Sequence, residues 1–232
     1  MTSNSTKQST TTPTGGNYYT KLYAKHTIKQ LEAITGTLSQ PSKMPCHGYS
    51  LPASMCTTGG KLHKVENSVC KSCYALKGRY VFPNVQSALV YRYNSLVRNP
   101  VIWQHALTEL IRRKEKSGFF RWHDSGDLQG VYHLRHINNI ALSLPDIKFW
   151  LPTREIRILR DFKQDNILAP NLVVRVSSFF ISQQPHRAFT HTSTVGWSNA
   201  THSCPAPTQS NKCADCRACW DTNIHNINYA LH

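Results

Sequence analysis

The sequence predicts an α/β protein with parallel strands, arranged as a partial (βα) barrel or as an open parallel sheet. In the middle of the chain, short runs rich in aromatic and β-branched residues alternate with segments of helical periodicity. The predicted strands begin about 28, 25 and 22 residues apart, which is the spacing of βα units with parallel strands. A doubly wound sheet fits the same spacing, and we favour the open partial barrel.

The helices are predicted from apolar residues spaced three and four apart and from residues that favour helix ends. The clearest start is Asn99 followed by Pro100, because asparagine caps a helix and proline suits its first position. Gly36 and Gly118 are the expected stops of the first and third helices. The predicted helices cover residues 17–34, 84–97, 100–117, 128–142 and 154–162.

The strands are predicted between and after these helices. They cover residues 119–123, 147–151 and 172–177, with a fourth candidate at 194–197. Residues 1–16 are rich in serine and threonine and lack an apolar stretch, so we expect a disordered tail rather than a secretory signal. Residues 17–232 are expected to form a single α/β domain.

Polar residues follow the predicted strands at the edge where parallel α/β folds bind their ligands. Histidine and aspartate side chains there could exchange protons or bind a polar substrate. The competing interpretation is that Asp127 caps the next helix, Gly126 makes a turn and Arg154 forms a surface ion pair. The candidate catalytic residues are His123, Asp124, Asp127 and Arg154, and the candidate cofactor-binding residues are Ser125 and Gly126.

Eight cysteines form two groups of four, one near each end of the chain. Two thiols separated by two residues can turn towards one metal centre, and each group contains such a Cys-x-x-Cys step. The first group lies within the irregular residues 40–82 and the second within a Cys-rich segment at 202–221. The candidate metal ligands are Cys46, Cys56, Cys70, Cys73, Cys204, Cys213, Cys216 and Cys219.

Metal is favoured over disulfides as the partner of these thiols. The sequence has neither a secretory signal nor an apolar run of membrane-spanning length, so we expect no membrane association and a cytoplasmic location. In that compartment Cys-x-x-Cys pairs bind metal more often than they crosslink the chain.

Iron–sulfur and zinc are the two interpretations of the thiol groups. Zinc would form structural sites that hold the irregular segments together. One or two iron–sulfur clusters, expected as [4Fe–4S], would do the same and add electron transfer. The C-terminal spacing Cys-x8-Cys-x2-Cys-x2-Cys is closer to ferredoxin runs than to the paired knuckles of zinc ribbons, and it favours iron–sulfur. His47, His63 and His202 are alternative ligands, although such histidines are more often neighbours of a site.

The chain is strongly basic, since Lys and Arg exceed Asp and Glu by 27 − 12 = 15. A basic surface attracts polyanions, so nucleic acid or a phosphorylated substrate is a candidate partner. Aromatic residues near the first thiol group interleave with basic ones and could stack on bases, or they could shield a cluster and fill the core. These aromatic residues are Tyr74, Tyr80, Phe82, Tyr91 and Tyr93.

Segments spread over most of the chain after about residue 40 carry a family resemblance. They are Lys43–Pro45, Ser50–Ala53, Val69–Tyr80, Phe82–Gln86, His123–Asp127, Lys148–Arg154, Lys212–Trp220 and Ala230–His232. As a set they are similar to the gene product 88 family of phage and plasmid proteins. The resemblance implies a cytoplasmic protein of a phage-infected or plasmid-bearing host cell, and it brings no assigned activity with it.

The motif Cys70-Lys-Ser-Cys73-Tyr before a partial barrel, with a Ser-Gly-Asp loop after a strand, resembles radical S-adenosylmethionine (SAM) proteins. The resemblance implies that three thiolates hold a [4Fe–4S] cluster whose fourth iron binds SAM, and that the C-terminal thiols hold a second cluster. Cys56, Cys70 and Cys73 would be the three ligands. The gap between Cys56 and Cys70 is wider than in the compact Cys-x3-Cys-x2-Cys of that family, and Cys46 could instead close the cluster as a fourth ligand.

Three functions compete on these observations. The leading one is an iron–sulfur protein on a radical-SAM-like partial barrel, acting in redox chemistry or as an enzyme of undefined reaction. The second is a nucleic-acid-binding protein with structural zinc or iron–sulfur sites. The third is a virion or assembly component that uses metal to stabilise its fold.

Overall fold

The computed structural model describes residues 21–231, which form an α/β fold around one open sheet of seven strands. The strands are β1 Gly48–Tyr49, β2 Phe119–Trp122, β3 Lys148–Thr153, β4 Leu172–Ser177, β5 Thr192–Val195, β6 His202–Ser203 and β7 Asn226–Tyr229. They lie in the order β1-β2-β3-β4-β5-β7-β6, and every neighbouring pair is parallel. The predicted open parallel sheet is confirmed.

Helices precede and connect the central strands. The α-helices of the described residues are α1 Ile28–Thr35, α2 Thr57–Leu62, α3 Pro83–Arg98, α4 Pro100–Lys114, α5 Val131–Ser143 and α6 Ile156–Asp165. Short 3-10 helices occur at Ala53–Met55, Tyr74–Leu76, Gly78–Val81, Ala206–Thr208 and Ala218–Trp220. No helix within residues 21–231 has the length and apolar character needed to cross a membrane.

The helix starts follow capping chemistry. The Asn99 side chain accepts a hydrogen bond from the Ile102 amide at 3.1 Å, which confirms the predicted start of α4. The first predicted helix is interrupted: residues 21–23 are helical, the chain turns at 24–27, and α1 starts again at Ile28, where Thr27 and Gln30 cap each other's amides. Residues 17–20, where that helix was predicted to begin, and the predicted tail at 1–16 lie outside the described residues.

Different segments of the chain pack on the two faces of the sheet. Side chains alternate along a strand, so Phe120 and Phe149 enter the hydrophobic core beneath α4, α5 and α6. Arg121, Trp150 and Arg175 lie on the opposite face, which we call the cysteine face because the cysteine-rich segments cover it. The strand order from β1 to β5 follows the chain without reversal and these helices pack on one face, so the sheet is singly wound, not doubly wound.

One buried arginine attaches the C-terminal segment to the cysteine face. The Arg175 side chain is fully buried in β4 and donates hydrogen bonds only to backbone carbonyl groups. Its acceptors are Ala218 at 3.1 Å, Cys219 at 3.0 Å, Asp221 at 2.8 Å, Ile224 at 2.8 Å and His225 at 3.4 Å. The Trp220 indole adds a bond to the Phe120 carbonyl at 2.9 Å.

The other cysteine-rich segment, residues 53–82, lies across the carboxyl ends of the strands. The Val69 amide donates to the Phe179 carbonyl at 2.9 Å, and the Ile181 amide donates to the Asn67 carbonyl at 3.0 Å. The Tyr74 and Tyr80 hydroxyl groups both donate to Asp124, which follows β2. These bonds fix the segment above the strand ends where ligands bind in parallel α/β folds.

Candidate metal centres at two ends of the cysteine face

Cys56, Cys70 and Cys73 come together beside the carboxyl ends of β2 and β3, and we call them the thiol triad. A methyl group on Gly59 would lie 3.7 Å from the Sγ atoms of both Cys56 and Cys70, so these two thiols border one space. The Cys73 amide donates to the Cys70 carbonyl at 3.2 Å, which turns the Cys-x-x-Cys step back on itself. The triad contains three of the four thiols of the first cysteine group.

The surroundings of the triad favour the protonated form of two of its thiols, Cys56 and Cys70. Burial raises the pKa of Cys56, and the neighbouring Asp127 carboxylate raises it further. Burial also raises the pKa of Cys70, while the Arg154 guanidinium opposes that rise. A metal bound here must therefore displace protons from the thiols.

Glu155 positions the loop that carries Cys56, and it was not among the predicted site residues. The buried carboxylate accepts hydrogen bonds from the Thr58 amide at 2.7 Å and from the Thr58 hydroxyl at 2.8 Å. Thr58 lies in the first turn of α2, directly after Cys56. The feature of the sequence that could have identified Glu155 is its position directly after Arg154 in the same strand-end loop.

Asp127 joins the loops after β2 and β3. Its carboxylate accepts hydrogen bonds from the Leu128 amide at 2.8 Å, the Thr153 hydroxyl at 2.6 Å and the Arg154 amide at 2.8 Å. Burial raises the pKa of Asp127 to about 6, and these hydrogen bonds offset only part of that effect. Asp127 does not cap α5, because that helix begins after Gly130 without a side-chain cap.

Arg154 and Asp124 flank the triad on two sides. Arg154 donates through Nε to the Ser178 carbonyl at 3.0 Å, and within residues 21–231 it forms no ion pair. Asp124 forms an ion pair with Arg121 at 2.8 Å on the cysteine face. Burial lowers the pKa of Arg121, but Asp124 together with the neighbouring Tyr74, Tyr229 and Cys219 raises it above its ordinary value, so the guanidinium remains charged.

His123 does not join this set. Its ring is buried between Trp122 and His133, with ring centroids 6.3 Å and 5.3 Å away, and neither ring nitrogen has a hydrogen-bond partner among the described residues. Burial lowers the pKa of His123 to about 3, and the charge of Arg121 contributes. The ring is therefore neutral and packs towards α5.

Ser125 and Gly126 fasten the loop after β2 to the segment after β1. The Ser125 hydroxyl donates to the Leu51 carbonyl at 2.8 Å. Gly126 has φ of 80°, and a Cβ atom there would lie 2.7 Å from both the Cβ and the carbonyl oxygen of Leu51. These contacts give the two predicted cofactor-binding residues a structural role in the loop.

The fourth thiol of the first group, Cys46, lies with the C-terminal cysteines. It is buried in a cluster with Trp150 and Trp220, against which Cys219 also packs. Burial raises the pKa of Cys46 to about 12, followed by the effect of Glu115. Cys46 therefore packs with the C-terminal segment, although its place in the sequence groups it with the triad.

The C-terminal thiols lie beside β6 and β7, since Cys204 directly follows β6 and its amide donates to the Asn228 carbonyl of β7 at 2.8 Å. Burial raises the pKa of Cys204 and Cys213, and each of these thiols is influenced by Cys216. Cys219 lies 3.3 Å from the Tyr229 hydroxyl, and burial raises the pKa of this thiol to about 12. Cys204, Cys213 and Cys219 are thus each within electrostatic reach of another thiol, and metal binding by the four C-terminal cysteines stays a prediction.

The three histidines considered as ligands have separate environments. His202 Nε2 lies 3.8 Å from Cys216 Sγ, at the edge of the C-terminal group. His63 Nδ1 lies 3.0 Å from the Cys70 carbonyl oxygen, and His47 Nδ1 lies 3.0 Å from a Glu115 oxygen. Only His202 therefore contacts a thiol.

Thiol groups at both ends of the face suit the chemistry of thiolate-bound metal, because sulfur is the ligand that zinc and iron–sulfur clusters share. Within the part of the chain that the structure describes, no three His, Cys, Asp or Glu side chains are already arranged to hold one metal ion. The thiols therefore fit a metal by the type of their donor atom and by their proximity to one another.

Comparison with known proteins identifies relatives but no activity. A family model described as Gene product 88 matches residues 6–222. No curated protein and no solved structure matches the chain.

Proposed function

The chain belongs to the Gene product 88 family, and we propose that it is an iron–sulfur protein with an open cluster at the thiol triad. The observation that carries this proposal is the separation of Cys46 from Cys56, Cys70 and Cys73. A [4Fe–4S] cluster held by three thiolates keeps one iron without a protein ligand. Such an iron can bind a small molecule, so the role is redox or enzymatic.

The surroundings of the triad supply groups for a polar ligand. Arg154 offers positive charge beside Cys70, and Asp127 and Asp124 offer carboxylates at the same strand ends. When bound, an open cluster would supply single electrons to the ligand on its free iron. The resemblance to radical SAM proteins makes SAM the candidate, with Arg154 placed to attract its carboxylate.

The C-terminal thiols are proposed to hold a second cluster without a substrate role. The site is walled by Trp150 and Trp220 and fixed to β4 by Arg175. These contacts favour a structural or electron-carrying centre over an open one.

The test is anaerobic purification with iron, sulfide and zinc analysis and a visible spectrum. We expect brown protein with about eight irons per chain if both sites hold [4Fe–4S] clusters. Replacing Cys56, Cys70 and Cys73 by Ser should remove about half of the iron and abolish any effect of SAM on the reduced protein's electron paramagnetic resonance. Ser72→Ala, an exposed change between two ligands, is the matched control and should retain both clusters.

Three results would replace this proposal. Stoichiometric zinc without iron, persisting after anaerobic iron–sulfide reconstitution, would leave structural zinc sites. Iron that persists in the triad variant at wild-type content would remove the triad from the ligand set. Binding to DNA with a steep salt dependence and no cluster would favour the nucleic-acid-binding alternative.

A further inference from the structure

Cys46 occupies a position that neither cysteine spacing nor the proposed open cluster accounts for. It is 5% exposed and lies in a pocket built from two tryptophans, Trp150 of β3 and Trp220 of the C-terminal segment. Cys219 packs against the same cluster. A buried thiol next to other thiols can act as a metal ligand. An apolar residue would fill the same space but could not bind a metal.

The chain around Cys46 is attached directly to the C-terminal thiol segment. The Cys213 amide donates a hydrogen bond to the Lys43 carbonyl at 3.0 Å. Met44 Sδ lies 3.7 Å from Cys213 Sγ, across a separation of 169 residues in sequence. Two independent contacts thus hold the Cys46 loop beside Cys213, and the proximity of the Cys213 thiol contributes to the raised pKa of Cys46.

We infer that Cys46 is a ligand of the C-terminal metal centre, which therefore draws its thiolates from both ends of the chain. This inference rests on the proposed function only in that the C-terminal site binds metal. Five thiols lie at this centre, and a cluster or a zinc ion uses four, so one of the remaining cysteines is dispensable. Ligation by Cys46 would crosslink the segment before β1 to the segment before β7.

Metal ligation by Cys46 would also affect the stability of the fold. The metal would close a loop of about 170 residues that encloses the sheet, and closing long loops restricts the unfolded chain most. The N-terminal segment would then depend on the C-terminal centre for its attachment. Cys46 would also leave the triad with three thiols.

The experiment isolates each centre before Cys46 is changed. In protein whose Cys56, Cys70 and Cys73 are replaced by Ser, bound metal reports on the C-terminal centre alone. Adding Cys46→Ser should lower its metal content at least twofold after anaerobic iron–sulfide reconstitution. In protein whose Cys213, Cys216 and Cys219 are replaced by Ser, the same Cys46→Ser change should leave the triad's iron unchanged.

Trp150→Phe is the matched control, because it disturbs the packing around Cys46 without removing a thiol. It should retain metal in both backgrounds. The inference is overturned if Cys46→Ser keeps full metal in the first background, or if it lowers triad iron in the second. Zinc in place of iron, lost with Cys46, would contradict the proposed function and still support this inference.

A second measurement covers variants that fail to fold. Metal-free wild-type protein is treated with the thiol oxidant diamide, and its disulfides are mapped by mass spectrometry. We expect Cys46 to pair with Cys213 or Cys219. Pairing of Cys46 with Cys56, Cys70 or Cys73 instead would overturn the inference, whatever metal the protein binds.

Discussion

At the residue scale, the space beside Gly59 decides whether two thiols can approach one centre. A Cβ atom on Gly59 would lie 3.1 Å from the Cys56 Cβ atom and 3.7 Å from two thiol sulfurs, so the neighbouring atoms would have to shift. The adjacent Gly60 has open space at the same position. The two glycines lie in one helix, α2, and form a matched pair.

We expect Gly59→Ala to lower the metal content of the triad by at least half, because the added methyl group crowds the bound cluster. Gly60→Ala should keep full metal content and stabilise the protein by roughly 0.5–1 kcal/mol, since alanine favours the helix. Iron analysis and urea unfolding of both variants make the comparison. Equal metal content in the two variants would exclude crowding at the triad.

The buried ring of His123 leads to a prediction about how the stability of the fold depends on pH. Its pKa in the folded protein is about 3, below the ordinary value of 6.5, because burial disfavours the charged ring. The unfolded chain therefore takes up the proton first, and stability that is present above pH 6.5 is lost as pH falls towards 3. Between pH 7 and pH 5 the loss amounts to about 2 kcal/mol.

His123→Asn should remove that part of the pH dependence, because asparagine does not titrate and tolerates the positive φ of 52°. The buried His133 has its pKa lowered in the same direction, so the variant should keep a smaller slope. Urea unfolding at pH 5, 6 and 7 measures the effect. His225→Asn, at an exposed position, should retain the wild-type slope, and a wild-type slope in His123→Asn would contradict the assignment.

At the scale of elements, the attachment of the C-terminal segment depends on Arg175. Its guanidinium donates hydrogen bonds to five carbonyl groups, and for those of Cys219 and Ile224 it is the only donor among the described residues. Arg175→Met should therefore destabilise the protein by about 3 kcal/mol or more, because the Cys219 and Ile224 carbonyls stay buried without partners. Arg175→Lys should recover only part of this loss, since lysine has fewer donors and no planar fork.

Urea unfolding of the two Arg175 variants measures these differences. Both variants should also lose metal from the C-terminal centre before they lose it from the triad, because the Arg175 side chain donates its hydrogen bonds to the C-terminal segment. Similar stability of wild type and Arg175→Met would show that the C-terminal segment is held by its other contacts.

The same elements show which parts of the fold the sequence could predict. Helices α3 and α4 have several turns of apolar periodicity and a proline at the first position, and their predicted bounds are confirmed within a few residues. The strands β2, β3 and β4 have four to six residues and were also found. β1 and β6 have two residues each, which is too few for alternation to be recognised.

The position of Cys46 could not be predicted for a related reason. Cys46 and Cys56 are close in sequence, but β1 lies between them and carries the chain along the sheet. Cys46 therefore precedes the amino end of β1, whereas Cys56 follows its carboxyl end. An unrecognised strand of two residues thus separates two candidate ligands that sequence spacing had placed together.

At the scale of the whole molecule, hydrophobic core and thiol centres are separate. The main core joins α4, α5 and α6 to the central strands and contains no cysteine. Cys46, Trp150 and Trp220 form a second, smaller cluster on the opposite face. The central α/β unit therefore has its own source of stability, whereas the cysteine-rich segments are held by short contacts and, as we propose, by bound metal.

Hydrogen exchange of metal-loaded and metal-free protein should expose this division. Amides of β2, β3 and β4 are expected to exchange at similar rates in both forms, because the core that buries them does not include the thiols. Amides in residues 53–82 and 204–221 should exchange at least tenfold faster without metal, because ligation no longer opposes local opening. The triple Ser variant of the triad should show the faster exchange only in residues 53–82. Uniformly faster exchange across all strands would mean instead that metal binding and folding of the central sheet form one cooperative unit.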